Sequence, residues 1–409
     1  MEQQSVSVKK NIVWNSIGTF VMFFCQWLMM VLVVRLSGYS DSGILSLSIS
    51  CGNVFLIIAA FGVKTFQVSD IKDQYSDGEY FGAKLATIAL TLVVGCVWTL
   101  VSGYEGIEKV SVLLYMAYIM VYSYSDAVYG ALQKKWRLDI AGISMCIRNI
   151  AALILFCVVL WVTKDIRIAL LSMLAASLIV LFVYDIPASK KVIPVRPVLN
   201  GTRIRKLLWE CFPFAIYTFL HTLVLTVPKL AVRGFYDKET LGFYSAVLAP
   251  VTVLQVAATF VINPLSTLMA VQIEGGKWKE LRRIMARCAL MLLGFLAAGI
   301  LISVFLGKWG LTILYGESIR EHSDLLIPMV VVSVMTALTI LLGNLAVVIR
   351  DRFGANLSGG LGLAAAFVSA WILIPRMGMQ GASLSFIIAL LVQDVILILS
   401  TTKKLRKRK

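Results

Sequence analysis

Charged residues are scarce in this 409-residue chain, at 15%, whereas soluble domains carry roughly 25%. Hydrophobic residues make up 59% and the mean hydropathy is +0.87, a balance that excludes an ordinary soluble globular domain. Histidine occurs twice, leaving little material for a histidine-rich metal centre. Seven cysteines (Cys25, Cys51, Cys96, Cys146, Cys157, Cys211 and Cys288) lie mostly in apolar runs and form no Cys-x-x-Cys pair, so neither a disulfide framework nor a zinc site is expected. No proline precedes Pro187. There is no P-loop, Gly-x-Ser-x-Gly or His-Glu-x-x-His motif and no long extramembrane stretch to house a catalytic domain, so the chain does not read as an enzyme.

What is present is a series of apolar runs of about twenty residues, the length that crosses a hydrocarbon core as a helix. Twelve spans are expected, near 11–34, 42–63, 82–103, 111–132, 140–163, 168–186, 208–232, 242–265, 284–306, 324–347, 357–375 and 380–400. The first is too long for a cleavable signal and contains Asn15 and Gln26. The net charge of +16 belongs to the loops between spans and not to a nucleic-acid interface. With the N-terminus inside, the inner segments hold 27 Lys and Arg and the outer loops nine, which favours twelve spans and two cytoplasmic termini.

The longest inner segment carries Pro187, Pro194 and Pro197 with six basic residues, and divides the chain. The expected organisation is an N-terminal lobe of helices 1–6 over 1–187, a basic cytoplasmic linker over 188–206, a C-terminal lobe of helices 7–12 over 207–400, and a basic tail over 401–409. A weak internal repeat supports this. Arg35 to Gly43 and Arg233 to Gly242 each run from an Arg at a helix end, through a polar turn with Tyr and Asp, to a Gly opening the next helix. Parallel repeats of this kind enclose a central site in many transporters.

Polar residues within spans are costly and therefore informative. Tyr115, Tyr118, Tyr122, Asp126, Tyr129 and Gln133 recur at steps of three or four and share one face of span four. That face reads either as the wall of a polar cavity, with tyrosines suited to sugar rings, or as an interhelical packing seam. Arg148 in span five lies at a similar depth to Asp126, and the two are expected to interact, as a fixed ion pair or as a releasable cation. Gln26 and Asn53 lie on polar stripes of spans one and two. Span seven holds Lys229 beside His221, which reads as a packing residue or a proton carrier. Asp394 reads as a residue reaching the inner boundary, or as a coupling group. Pro213, Pro228, Pro250 and Pro264 are expected to bend or interrupt spans seven and eight, unless Pro213 starts its helix.

Four stretches resemble a known family. They are Asn15 to Gly18 with Arg35 to Gly43, Val227-Pro228-Lys229 through Leu241-Gly242 to Ser245, Leu314 to Ser318 with Leu325 to Pro328, and Pro375 through Gly378 and Gly381 to Ser383. Their order and spacing resemble the polysaccharide repeat-unit flippases, the polysaccharide transporter branch of the multidrug/oligosaccharidyl-lipid/polysaccharide exporter superfamily. The resemblance implies an all-α polytopic protein of the bacterial inner membrane, with two six-helix lobes rocking around a central cavity. It implies flipping of an undecaprenyl-diphosphate-linked oligosaccharide to the outer leaflet, with a polysaccharide polymerase and assembly proteins as further partners. Basic residues would meet the anionic cargo, with Arg35, Arg148, Lys229 and Arg233 as candidates and Asp126, Gln26, Asn53 and the four tyrosines beside them. Lys229 stands where related sequences carry Arg, and a Lys cannot form a bidentate fork on phosphate. No cofactor is called for. A proton (H+) or sodium (Na+) gradient is the candidate driving force, with Asp126, His221 and Asp394 as coupling groups. The alternative is an ion-coupled multidrug or metabolite antiporter of the same superfamily.

Overall fold

The computed structural model describes residues 8–70, 73–349 and 351–406, and all regular structure among them is helical. The helices are α1 (Val8–Ser37), α2 (Tyr39–Ala60), α3 (Val63–Ser69), α4 (Asp77–Val101), α5 (Gly106–Lys134), α6 (Leu138–Thr163) and α7 (Ile166–Val180). They continue with α8 (Ile186–Lys190), α9 (Gly201–Phe235), α10 (Lys238–Glu274), α11 (Trp278–Tyr315), α12 (Leu326–Val348) and α13 (Arg352–Arg406). Helices dominate because backbone surrounded by lipid must satisfy its own hydrogen bonds.

Among the described residues, ten helices are long and apolar enough to cross a membrane. Two features bring the count to about twelve. The apolar run of α5 is interrupted by its tyrosines and Asp126, yet it extends over 29 residues. The 55-residue α13 is two helices joined at Gly378, whose φ of 58° and ψ of −133° break the helical path three residues after Pro375. The expected interruption of spans seven and eight does not occur. α9 and α10 each run on as one helix, and the break falls at Pro375–Gly378 instead.

Local chemistry sets several helix ends. Ser76 and Glu79 form a capping box at the start of α4, Asp165 caps α7 and Asp237 caps α10. α2 stops where Phe61 and Gly62 turn left-handed, at φ 47° and 71°. Its last carbonyls are then satisfied from α4. Thr87 Oγ1 donates to the Ala59 oxygen at 2.8 Å, and Lys84 Nζ to the Ala59 and Ala60 oxygens at 3.3 and 3.4 Å.

The chain divides into two compact units, Met1–Ala215 and Ile216–Lys409. In the first, α1 and α6 cross at nearly bare backbone. A Cβ on Gly142 would lie 2.2 Å from the Trp14 carbonyl oxygen, so only glycine admits this approach. The segment expected as a linker, 188–206, is packed against this unit. Ile193 and Val195 are buried with Phe81, Leu132 and Ile140, and the Val198 amide donates to the Gly78 oxygen at 2.8 Å. Its prolines hold it extended, and burial of alternate apolar residues fixes it. In the second unit, α10, α11 and α12 pack around Ile262, Leu292 and Leu341, and α9, α12 and α13 around Val224, Val332 and Ala389.

Candidate functional site

In the first unit five helices frame a cavity of about 230 Å³. α1 contributes Met22, Gln26 and Met29, α2 contributes Asn53, α5 contributes Tyr115, Tyr118 and Tyr122, and α6 and α7 contribute Asn149 and Met173. The spacing of the tyrosines by three and four turns all three inward from one helix face. Tyr115 fits because Gly52 faces it, where a Cβ would come within 2.5 Å of the ring. The rings of Tyr115 and Tyr118 lie 5.6 Å apart, and the Tyr122 hydroxyl reaches Met22 Sδ at 3.4 Å. The wall thus offers phenol and carboxamide groups on an apolar background, without a formal charge. Such a surface can hydrogen-bond hydroxyls and stack on sugar rings.

The charges lie elsewhere, and in pairs other than the expected one. Asp126 does not pair with Arg148. It binds Lys64 Nζ at 2.6 Å, in a pair left 23% and 35% exposed. Arg148 is fully buried and donates to Asp185 and, at 2.6 Å, to the Ser125 hydroxyl. Asp185 also accepts from Ser125 at 2.8 Å and from Ser144, whose hydroxyl bonds Tyr129 Oη at 2.7 Å. A single π turn, Leu181–Asp185, continues α7 and ends on Asp185. Tyr129 therefore belongs to this closed network and not to the cavity wall. The network has no solvent-accessible charge, which makes Arg148 a structural cation, whereas Lys64 is the accessible one. Sequence reasoning missed both Lys64, counted as a loop cation, and Asp185, placed at a span boundary.

Of the remaining candidates, Arg35 is exposed in the last turn of α1, and Arg233 donates to the Tyr236 carbonyl at 3.2 Å, closing its own helix end. Neither joins the cavity. In the second unit Lys229 is half-buried on α9 and makes no ion pair among the described residues. His221 lies against Tyr217, ring centroids 6.2 Å apart, and its Nδ1 is 3.3 Å from Gln393 Oε1. Asp394 lies within the packed second unit. It is 3% exposed, its Oδ1 accepts from Thr339 at 2.7 Å, and its Oδ2 and the neighbouring Gln393 Nε2 have no partner. No cluster of His, Cys, Asp or Glu able to hold a metal occurs among the described residues.

A sequence profile described as "Polysaccharide biosynthesis protein" matches residues 8–267, well over half of the chain. The chain belongs to this family. A relative in Staphylococcus aureus, the capsular polysaccharide biosynthesis protein CapF, is 22% identical over 384 residues, which is 93% of this chain and 96% of that protein. The fold is similar to that of the lipid II flippase MurJ in an inward closed conformation, with a TM-score of 0.75, 15% identity and coverage of 97% and 90%. It is also similar to an inward-facing multidrug resistance MATE family transporter of the MOP superfamily, with a TM-score of 0.69, 10% identity and coverage of 97% and 98%. The chain is therefore a polysaccharide biosynthesis family protein, rich in helices long and apolar enough to cross a membrane, with the fold seen in flippases and multidrug transporters.

Proposed function

We propose that this chain flips an undecaprenyl-diphosphate-linked oligosaccharide from the cytoplasmic to the outer leaflet of the bacterial inner membrane, by alternating access. The observation that carries the reading is the cavity of the first unit, where three tyrosines and three carboxamides line one space between long apolar helices without a formal charge. Sugar hydroxyls cannot enter hydrocarbon without replacement hydrogen bonds, and this wall supplies them. The polyprenyl tail can stay in lipid. The diphosphate needs a cation, and Lys64, left partly exposed beside Asp126, can supply one within the first unit, with Lys229 of the second unit as a separate candidate. Asp126 holds Lys64 in place until phosphate competes for it. Asp394, with Thr339, Gln393 and His221, is the group assigned to proton or sodium coupling. The charge bias of the loops supports cytoplasmic termini, and a polysaccharide polymerase is the expected consumer of the flipped unit.

The deciding experiment is reconstitution with a fluorescent diphosphate-linked oligosaccharide lipid, following its appearance in the opposite leaflet. Wild type should accelerate flipping. Lys64→Gln and the pair Tyr118→Phe with Tyr122→Phe should slow it while melting close to wild type. Normal flipping by all of these variants would refute the assignment. In cells, depletion should accumulate lipid-linked units on the cytoplasmic face. Loss of resistance to cationic compounds without such accumulation would point to an antiporter.

A further inference from the structure

Between the span that ends at Lys190 and the one that begins at Ala215 lies a stretch whose exposed side is basic and aromatic. Lys190, Lys191, Arg196, Arg205 and Lys206 are all exposed there, and Glu210 is the only acidic residue in 190–212. Leu199 is 74% exposed and Trp209 75%, with the Trp209 ring stacked on Phe212 at 5.7 Å and 6°.

This face cannot turn inward, because the opposite side is tightly fixed. Ile204, Leu207 and Cys211, spaced by three and four on α9, are buried against Val63, Tyr75, Tyr80 and Ala83. Arg203 pairs with Glu79, donates to the Gln74 carbonyl at 2.7 Å and lies 5.3 Å from the Tyr75 ring centre. Upstream, Gly78 and Gly82 form a cradle. A Cβ on Gly82 would lie 2.1 Å from the Val198 carbonyl oxygen, so the extended backbone rests directly on α4. The result is a preorganised amphipathic edge at a membrane boundary, with cations beside an aromatic pair.

We propose that residues 190–212 form a fixed seat for the phosphate headgroups of anionic phospholipids in the adjacent leaflet. The five exposed cations meet phosphate while Leu199, Trp209 and Phe212 enter the interfacial layer. Charge complementarity selects this occupant. A basic, acid-poor surface flanked by tryptophan at the end of a span matches an anionic headgroup layer. Fixing the backbone beforehand removes the ordering cost that a loose polybasic loop would incur.

The test uses the full chain in nanodiscs with spin-labelled phosphatidylglycerol or phosphatidylcholine. Wild type should prefer phosphatidylglycerol several-fold, and 1 M salt should abolish most of that preference. Lys190, Lys191, Arg196, Arg205 and Lys206, all changed to Gln, should bring the preference close to unity. The double variant Arg205→Gln, Lys206→Gln should lose a proportionate part, so the outcome stays readable if the fivefold variant folds poorly. Changing five exposed cations elsewhere (Lys164, Arg167, Lys308, Arg320 and Arg376) to Gln should leave the preference in place. Equal loss in both fivefold variants would reduce the effect to net charge and overturn the proposal. So would absence of any preference in wild type, or displacement of the lipid by inorganic pyrophosphate at low concentration, which would mark a soluble-phosphate site.

Discussion

Changing Arg148 to Gln should damage the fold more than it damages the chemistry of transport. Asp185 would lose its cation in a fully buried position and keep only the Ser125 and Ser144 hydroxyls. Breaking one side of a buried ion pair costs about 3–5 kcal/mol, because the remaining charge is left uncompensated. For a unit of this size each kcal/mol corresponds to about 2–4 °C of melting temperature, so the drop should be roughly 6–20 °C. Removing both charges, with Arg148→Met and Asp185→Leu, should recover much of this. The residual loss is chiefly the Ser125 hydroxyl left without its acceptor, about 1 kcal/mol, since Ser144 can still donate to Tyr129 Oη. Lys64→Gln provides the contrast. Its pair with Asp126 is partly exposed, so stability should fall by no more than about 1 kcal/mol while cargo flipping declines. Thermal melts of purified protein, read beside the flipping assay, separate the two. A variant at Arg148 that melts like wild type yet fails to flip would refute the division into a structural and an accessible cation.

Four further outcomes follow from the same geometry. Gly142→Ala should cost about 1–3 kcal/mol by forcing α1 from α6, seen as a lower melting temperature. The pair Tyr118→Phe with Tyr122→Phe should reduce flipping by roughly 10- to 30-fold, since two hydroxyl contacts to cargo of about 1 kcal/mol each are lost, while melting should change little because the rings keep their packing. Asp394→Asn should remove the dependence of flipping on an imposed proton or sodium gradient, and persistence of that dependence would exclude the residue from coupling. Asp70, outside the spans, is pushed upward by burial, but the Gln74 and Tyr75 amides, the Tyr80 hydroxyl and the Lys134 charge outweigh this and hold its pKa below the ordinary 3.8. A depressed carboxylate stabilises above its unfolded pKa and loses that contribution as pH falls through its folded value. Asp70→Asn should therefore lower stability at neutral pH by roughly 1–3 kcal/mol, and the gap to wild type should close in strong acid.

The helices were legible because span length is set by the bilayer, and the Tyr115, Tyr118 and Tyr122 face because its period matches the helix. Gln26 and Asn53 meet those tyrosines in one cavity, a convergence that periodicity within each span does not carry. The ion pairs were not legible. Depth along the membrane is one coordinate, and azimuth around each helix is another. Arg148 reaches Ser125, the residue before Asp126, and one residue turns a helix by about 100°. That rotation separates the observed partner from the expected one. The π turn ending at Asp185 has no composition signal, so the true partner stayed hidden at the end of an apolar run. The surroundings of Asp394 were not legible for a related reason: its burial and the bond from Thr339 on α12 come from packing between helices distant in sequence.

The buried pair has a consequence for biogenesis. Arg148 and Asp185 are 37 positions apart, so at about 5–20 residues per second the arginine emerges from the ribosome some seconds before its partner. An arginine at mid-span raises the cost of insertion by about 2.5–3.5 kcal/mol on the translocon scale. α6 is thus poorly suited to leave the translocon alone. It should wait there until α7 and its π turn arrive, and the two should enter lipid together as a neutral hairpin. A pulse-labelled truncation ending before Asp185 should remain crosslinked to the translocon, whereas one that extends past it and clears the ribosome should be released.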